Sequence, residues 1–201
     1  MRLYTALLIG FFIFYNTSVI AQELTDEKEV ELSKEDHDAI SAQAVRTIHD
    51  LGEQIEVIVN KSYGTTRRNN AVDLALKLFS NPDTNIVQVT STNREGFREI
   101  ITRTYLNKMK LLPYSKVVIS WYKVYLSSDL IKGVDGRYYG VATIQQKFEG
   151  YYNKEMGKYI DITKKHITII VERENYYEGS TEKSRWTLKL GDIQVVETKS
   201  E

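Results

Sequence analysis

The feature that most constrains the fold of this chain is a succession of four strand-like segments in its second half. They cover residues 116–126, 137–151, 158–173 and 184–197, and each is rich in β-branched and aromatic side chains. Such side chains pack well on the pleated surface of a sheet. Short turn-forming segments with glycine separate the four, and connections that short join antiparallel neighbours. The sequence therefore predicts a mainly antiparallel sheet of four long strands.

Residue alternation along the second of these strands assigns its two faces. Side chains two positions apart lie on the same face of a strand. One face is mostly apolar and carries Tyr138, Ala142, Ile144, Gln146 and Phe148. The opposite face is polar and carries Thr143, Gln145, Lys147 and Glu149. Gln146 is thus a polar side chain on an otherwise apolar face, and that face needs a cover of helices.

A long amphipathic helix is predicted over residues 34–61. Ser33 and Asp36 match a capping box at its start. Its apolar side chains recur three or four positions apart and form one stripe: Ile40, Ala44, Ile48, Leu51, Ile55 and Val59. Gly52 is the weak point of this helix, because glycine costs up to about 1 kcal/mol relative to alanine.

Three shorter elements are predicted between this helix and the sheet. They are a helix over 70–79, a strand over 86–89 and a third helix that begins at Thr92 or Asn93. The third helix has apolar residues at helical spacing: Phe97, Ile100, Ile101, Tyr105 and Met109. Three helices covering one face of a curved, mainly antiparallel sheet make an α+β fold, with a short first strand and four long strands.

The first 21 residues match the pattern of a secretory signal peptide. Arg2 gives a positive start, an apolar run covers 6–15, and Ala21 is a small residue at the cleavage position. The alternative is an uncleaved anchor, but the run is short for a spanning helix, which needs about 20 apolar residues. We therefore predict Gram-negative export, to the periplasm or the medium, with no membrane insertion after cleavage. Residues 22–33 are predicted to be a flexible acidic lead-in, and 34–201 a single domain.

Charge and cysteine content exclude several classes of function. The chain has 27 basic and 27 acidic residues, so its formal net charge is zero. This neutrality gives no electrostatic reason to expect nucleic acid as a partner. The chain has no cysteine, which excludes disulfides, thiolate metal sites and a cysteine nucleophile.

The remaining motif classes give no metal or cofactor site. None of the histidines, His37, His49 and His166, has a second histidine or a suitable carboxylate at metal-ligand spacing. A glycine-rich phosphate loop and a Gly-x-Ser-x-Gly motif are both absent. We therefore expect neither a metal nor a cofactor. The basic pairs Arg67-Arg68 and Lys164-Lys165 are interpreted as solvated.

The order of predicted elements resembles the nuclear-transport-factor-2-like superfamily, which has a cone-shaped, cystatin-like fold. The resemblance covers about 33–198 and depends on this order, on Trp121 and on the stretches 148–150 and 186–192. Within the superfamily, the chain is similar to exported bacterial members of unknown role. The resemblance implies a pocket between the sheet and the helices. In enzymes of this superfamily, a carboxylate or histidine acts there as general base and a tyrosine or second acid as donor.

The resemblance implies candidate site residues in this sequence but no complete motif. Asp161 is a candidate general base, predicted to lie near Phe148 across the hairpin. The alternative is a structural carboxylate that bonds Lys158, Lys164 or a turn amide. The candidate ligand-binding residues that line the pocket are Trp121, Tyr138, Gln146, Phe148 and Trp186.

Two classes of function fit the sequence. The first, which the sequence favours, is a non-catalytic exported module that binds a small molecule or a protein. The second is a cofactor-free isomerase, dehydratase or cyclase that acts on a small molecule in the pocket. A buried carboxylate with a tyrosine in hydrogen-bond reach favours the enzyme, whereas an apolar or collapsed pocket favours the module.

The alternation of residues along the long strands also predicts self-association through the outer face of the sheet. Tyr139 and Val141 lie on that face, and the first long strand has apolar residues at both parities. A contiguous exposed apolar patch often marks an interface, and members of the resembled superfamily often dimerise through this surface. We expect a homodimer at micromolar concentration, measured by light scattering coupled to size exclusion. A monomer whose mass and solubility are unchanged by Val141→Lys would contradict this.

Export gives a second prediction. Because Ala21 ends the signal pattern, the mature N-terminus is expected at or near Gln22. Intact-mass spectrometry of the native protein measures this directly. A cytoplasmic product that retains Met1 would overturn the prediction.

Overall fold

The computed structural model describes residues 31–91, 96–152 and 157–200. The predicted signal peptide 1–21 and the first part of the lead-in, 22–30, lie outside these ranges. Across the described ranges, no helix has the length and apolar character needed to cross a membrane.

Three helices and seven strands form within the described residues. In chain order they are α1 Lys34–Val59, α2 Thr65–Leu76, β1 Ile86–Thr90, β2 Phe97–Ile101, α3 Thr102–Met109, β3 Lys116–Leu126, β4 Ile131–Lys132, β5 Tyr138–Tyr151, β6 Lys158–Glu178 and β7 Thr181–Ser200. The four long predicted strands are β3, β5, β6 and β7. The last two run further than predicted, to a tight hairpin at Gly179, whose φ of 64° suits glycine.

All seven strands belong to one sheet, with the spatial order β2-β1-β7-β6-β5-β3 and with β4 paired to β5. Neighbouring strands are antiparallel except β1 and β7, which pair in parallel at Val87 and Ile193. Side chains reinforce this single parallel pair. Asp192 Oδ1 accepts from the backbone N–H of Ile86 at 2.8 Å, and Gln88 Oε1 accepts from the N–H of Val195 at 3.0 Å. A curved, mainly antiparallel sheet with helices packed on it confirms the predicted α+β class.

Helix α1 begins at the predicted capping box. Ser33 Oγ accepts from the backbone N–H of Asp36 at 3.1 Å, and Asp36 Oδ2 accepts from the N–H of Ser33 at 2.9 Å. These bonds favour the ionised carboxylate, so the pKa of Asp36 lies below its ordinary value. The predicted stripe is buried throughout: Ile40, Ala44, Ile48, Leu51, Ile55 and Val59.

Gly52 has a packing role that the helix pattern does not reveal. Trp121 on β3 lies with its ring 3.5 Å from the position that a Cβ of Gly52 would occupy. The absence of a side chain therefore lets α1 lie close against β3. The first long predicted strand has apolar residues on both of its faces, and the face that bears Trp121 is the one that packs against α1.

The predicted third helix is wrong over its first half. Residues 97–101 form strand β2, which pairs with β1 in the register Ile86 to Ile101 and Thr90 to Phe97. The apolar residues here also fit a strand, and backbone pairing with the edge of β1 decides between the two. Phe97 and Ile101 remain exposed, as no helical packing buries them. The helix proper, α3, begins at Thr102, and the proposed caps Thr92 and Asn93 lie outside the described residues.

Helix α2 also begins earlier than predicted, at Thr65 rather than Asn70. Arg68, in its first turn, donates from Nε to the carbonyl of Ile58 and from Nη2 to the carbonyl of Lys110, both at 2.7 Å. These acceptors lie at the C-terminal ends of α1 and α3, where helix carbonyls lack partners within the helix. The interpretation of Arg68 as a solvated residue is therefore wrong, because it joins the three helices.

A β-bulge in β3 changes which of its side chains face outward. The pairing with β5 steps from Tyr122 to Tyr125, and Lys123 has a φ of 52°. Beyond the bulge, Val124 and Leu126 pack against the core, while Tyr125 faces solvent. The apolar surface on the outer face is therefore smaller than strict alternation predicts.

Candidate functional site

A cavity of about 260 Å³ opens between α3, the β1–β2 edge and the inner faces of β5 and β6. Its walls are apolar and consist of Val89, Ile100, Met109, Leu112 and Phe148. Its floor is polar and consists of Gln146, Asp161, Thr163 and Lys165. Tyrosines and the exposed Lys108 complete the lining towards solvent. This volume of about 260 Å³ lies just below the roughly 300–1,000 Å³ that ligand pockets occupy.

Strand register brings the floor residues together. Gln146 pairs with Thr163, and Phe148 pairs with Asp161, across the β5–β6 ladder. Asp161, Thr163 and Lys165 alternate along β6, so all three side chains lie on the inner face. The pairing of β6 with β7 is irregular between Lys164 and Lys165. Such bulges often lie beside functional sites, because they redirect a side chain.

Lys165 is the most unusual residue of the floor. Its side chain is buried, at 6% exposure, and its Nζ donates to Gln146 Oε1 at 3.2 Å. Burial lowers the pKa of Lys165 from 10.5 to about 8, although the charge of Asp161 acts in the opposite direction. The interpretation of the Lys164-Lys165 pair as solvated is therefore wrong for Lys165. Lys164 points to the other face of the sheet and is half-buried.

Asp161 is buried to the same degree, at 6% exposure. It lies opposite Phe148, as the sequence predicts. Thr163 Oγ1 lies 3.2 Å from Asp161 Oδ1, where it donates a hydrogen bond, and 3.3 Å from Thr198 Oγ1. The observed side-chain partner of Asp161 is thus Thr163 of the cavity floor, rather than Lys158, Lys164 or a turn amide.

Tyrosines surround this carboxylate at a range over which charges interact. Burial, and more weakly the charge of Asp161, raise the pKa of Tyr105 to about 12. The pKa of Tyr114 is raised by burial, by a hydrogen bond with Tyr152 and more weakly by Asp161. Both hydroxyls therefore stay protonated at neutral pH: that of Tyr114 already bonds Tyr152, and that of Tyr105 can donate a hydrogen bond.

An aromatic cluster forms one side of the cavity. The ring of Tyr114 lies 5.5 Å from Phe148 and 4.8 Å from Tyr152, measured between centroids. Tyr159 joins the cluster 6.0 Å from Phe148, and its hydroxyl lies 3.1 Å from Ser91 Oγ. Edge-to-face and tilted rings of this kind give a rigid apolar surface with hydroxyls at its margin.

The structure brings together three of the predicted site residues: Asp161, Gln146 and Phe148. The other three lie elsewhere. Tyr138 packs edge-to-face on Trp186, with centroids 5.6 Å apart, and its hydroxyl accepts from the backbone N–H of Leu32. Trp121 packs on Gly52, and its Nε1 is buried without a hydrogen-bond partner in the described structure. All three aromatics belong to the core beneath α1 rather than to the cavity.

Sequence reasoning missed the rest of the polar cluster, above all Lys165, Thr163 and Tyr105. The sequence does contain a pattern that places Lys165 and Thr163 on the inner face. Ile167, Ile169 and Val171 alternate on the inner face, and the same alternation continued backwards reaches Lys165, Thr163 and Asp161. No comparable signal marks Tyr105, whose place in the cavity depends on where α3 begins.

Among the described residues that line the cavity, Asp161 is the single carboxylate and none is a histidine. The described residues contain no group of three or more histidine, aspartate or glutamate side chains arranged to hold a metal ion. The cavity chemistry of this chain is therefore that of an amine, a carboxylate, an amide and hydroxyls.

Comparisons with known proteins add one structural likeness. No protein-family model matches the chain, and no curated protein matches it. The fold is similar to a crystal structure described as a "Putative Scytalone Dehydratase" from Novosphingobium aromaticivorans DSM 12444. The match has 10% sequence identity and a TM-score of 0.44, and it covers 83% of this chain and 91% of the other. A likeness at this level carries no argument about function.

The lowered pKa of Lys165 predicts a specific pH dependence of stability. Between pH 8 and 10.5, the unfolded chain holds a proton on Lys165 that the folded chain has released, so stability rises with pH. Below pH 8 both states hold the proton and this contribution is constant. The free energy of unfolding of the wild type, minus that of Lys165→Met, should therefore rise by about 2 to 3 kcal/mol across this interval.

Urea titrations at a series of pH values measure this difference. Tyrosine ionisation affects both proteins and cancels in the subtraction. Lys164→Met is the matched control, because it removes the neighbouring lysine from the opposite face. Parallel stability curves for the wild type and Lys165→Met would show that Lys165 titrates as a solvated lysine.

Proposed function

We propose that this chain is an exported module that binds a small organic molecule with an apolar body and an oxygen-bearing end. The observation that carries the proposal is the buried pair of ionisable side chains, Asp161 and Lys165, on the floor of an apolar-walled cavity. Ligand sites combine these two properties: apolar walls supply affinity, and a few polar groups orient the ligand.

The polar floor has hydrogen-bonding capacity beyond what the protein uses. An ammonium has three N–H donors, and the structure gives that of Lys165 one acceptor, the Gln146 amide. A buried cation with unused donors is costly, and a ligand oxygen that accepts from Nζ offsets that cost. Asp161 and the tyrosine hydroxyls offer an acceptor and further donors. A hydroxyl, carbonyl or carboxylate of a ligand suits this floor.

The walls and the volume set the kind of molecule. Phe148 and Tyr114 present ring surfaces, and Met109 adds a flexible apolar side chain opposite them. A volume of about 260 Å³ suits one substituted ring or a short branched chain rather than a fused polycyclic compound. The chain is therefore proposed to select small ring compounds or short amphipathic compounds.

A second candidate function is acid–base catalysis in the same cavity. It is favoured by the occurrence of Asp161, Lys165 and Tyr105 together, because an enzyme needs groups that accept and donate protons within one water-poor site. The cavity contains the buried carboxylate expected of an enzyme, but the side-chain hydrogen-bond partner of Asp161 in the described structure is Thr163 rather than a tyrosine. Turnover of a bound compound, abolished by Asp161→Asn without unfolding, would decide for the enzyme.

Export and dimerisation belong to the same proposal. The signal-peptide pattern supports a role in the periplasm or the medium, where small organic molecules are encountered before uptake. A homodimer through the outer face of the sheet leaves the cavity accessible, since the cavity lies on the inner face. Val118, Tyr122, Tyr139 and Val141 are the partly buried apolar side chains on that outer face.

Binding of two small probes tests the proposal. Benzyl alcohol and benzoate each place an oxygen on a single ring, and saturation-transfer NMR detects contact of the ring protons with the protein. We expect both to bind the wild type and Lys165→Met to bind benzoate about tenfold or more weakly, as expected for a lost hydrogen bond to a charged group.

Lys164→Met is the matched control and should bind as the wild type does. Met109→Trp fills the cavity from its wall and should abolish binding of both probes. The proposal is refuted if neither probe binds, or if the two lysine variants lose affinity equally.

A further inference from the structure

We infer that Lys165 binds carbonyl compounds covalently, as a reversible imine formed inside the cavity. The inference depends on the proposed function, since it names the class of ligand that the same cavity takes: a small aldehyde or ketone with an apolar body. The observation that carries it is the placement of a buried primary amine on the cavity floor, with a neutral amide as its hydrogen-bond partner.

Lys165 differs from the other described lysines in that it alone is buried, at 6% exposure. Lys183 forms an ion pair with Glu178, and Lys189 Nζ donates to the carbonyl of Lys77 at 2.9 Å. An ion pair holds a lysine in its charged, non-nucleophilic form. In the part of the chain that the structure describes, Lys165 has no such ion pair, and its acceptor is the Gln146 side chain. Its nitrogen can exchange this weak bond for a bond to carbon.

The protonation state favours the same chemistry. An amine attacks a carbonyl only in its neutral form. Burial lowers the pKa of Lys165 to about 8, so a sizeable fraction of the side chain is neutral near neutral pH. An ordinary lysine, with a pKa near 10.4, has a neutral fraction roughly a hundredfold smaller at the same pH.

The reaction balances without any further reagent. The Nζ lone pair attacks the carbonyl carbon, an N–C bond forms, and the carbonyl π electrons move to oxygen. Transfer of a proton from nitrogen to that oxygen gives a carbinolamine. The hydroxyl then takes a second proton from a neighbouring acid and leaves as water, while the nitrogen lone pair forms the C=N bond. The iminium nitrogen returns one proton to that acid, so the neutral imine and water are the only products. Hydrolysis reverses every step, so the amine and the carbonyl compound are both recovered.

Neighbouring side chains supply the proton transfers that these steps need. Asp161 lies on the same strand face as Lys165, near enough for their charges to interact. A carboxyl group there can carry protons between nitrogen and oxygen. Tyr105 remains protonated and is a donor to the carbonyl oxygen as negative charge develops on it. The apolar walls limit access of water, which slows hydrolysis of the imine.

Reductive trapping tests the inference. The full mature chain is incubated with benzaldehyde and sodium cyanoborohydride, which reduces an imine to a stable secondary amine, and peptide mapping locates the added benzyl group. We expect Lys165 to be labelled at least about tenfold faster than Lys164, because its neutral fraction is larger. The rate of labelling at Lys165 should rise with pH and level off above its pKa of about 8.

Three variants serve as controls. Lys165→Arg keeps a cation on the cavity floor but cannot form the imine, so it should lose the fast label. Lys164→Met should keep it. Measured above pH 8, where most of the Lys165 amine is neutral in both proteins, Asp161→Asn should slow labelling of Lys165, because the group that transfers protons is lost, while leaving the slow labelling of surface lysines unchanged. Circular dichroism of each variant confirms that it is folded.

The possible results separate the inference from the proposed function. If benzyl alcohol and benzoate bind but Lys165 is labelled no faster than Lys164, imine formation is refuted and non-covalent binding stands. If the probes do not bind and no fast label appears, both are refuted. Fast labelling that persists in Lys165→Arg would place the reactive amine elsewhere and would also refute the inference.

Discussion

The two-residue period of strand β6 is the constraint on which the structure depends. Its inner face begins with Asp161, Thr163 and Lys165 and continues with Ile167, Ile169 and Val171. The first three line the cavity and the last three are fully buried in the core. One strand therefore positions both the hydrophobic core and the polar floor, and a shift of register by one residue would turn both sets outward.

Neighbouring elements determine where the core ends and the cavity begins. Helix α1 packs against β3 and covers the apolar part of the inner face, where Trp121 meets Gly52. Helix α3 is much shorter, from Thr102 to Met109, and covers the polar part incompletely. Because residues 97–101 extend the sheet as β2 instead of lengthening that helix, less helical cover remains and the cavity persists.

Electrostatics explains how the cavity accommodates two ionisable groups. Moving a single charge out of water costs several kcal/mol even after relaxation. For Lys165 the effect of burial exceeds the attraction of Asp161, because the net shift of the lysine pKa is downward. A sizeable fraction of the amine is therefore neutral at physiological pH, while the rest is charged. A cavity that holds such an amine and a carboxylate on one strand face is well suited to proton transfer.

Much of the fold was predictable because period and residue type report local burial. The strands β3, β5, β6 and β7 and the capped helix α1 follow from alternation, from an apolar stripe and from the Ser33–Asp36 box. The β2–α3 boundary did not follow, because Phe97, Ile100 and Ile101 have helical spacing and pairing with β1 overrides it. Tertiary contacts likewise determine the environment of Arg68. Its guanidinium donates to carbonyls at the ends of two other helices, which the local sequence does not reveal.

The candidate site was less predictable than the fold, for a related reason. Gln146 is identified from the sequence because it is polar at an inward position of a strand, and Asp161 because it is predicted to lie near Phe148 across the hairpin. Lys165 is not identified, because it follows another lysine and a basic pair is usually solvated. Adjacent residues of a strand point to opposite faces, however. Two consecutive lysines in a strand therefore lie on different faces, and only one of them can point into the cavity.

Gly150 shows how backbone and cavity depend on each other. A Cβ at this position would lie 2.6 Å from the ring of Tyr114, closer than side-chain atoms can approach. Glycine on β5 thus allows the Tyr114 ring to lie over the strand and to pack against Phe148 and Tyr152. That ring lines the cavity together with Asp161, and the charge of Asp161 contributes to raising the pKa of Tyr114. The glycine at position 150 therefore helps to shape the cavity, because it leaves room for the Tyr114 ring. The alternation of side chains along β6 determines which polar groups line the cavity.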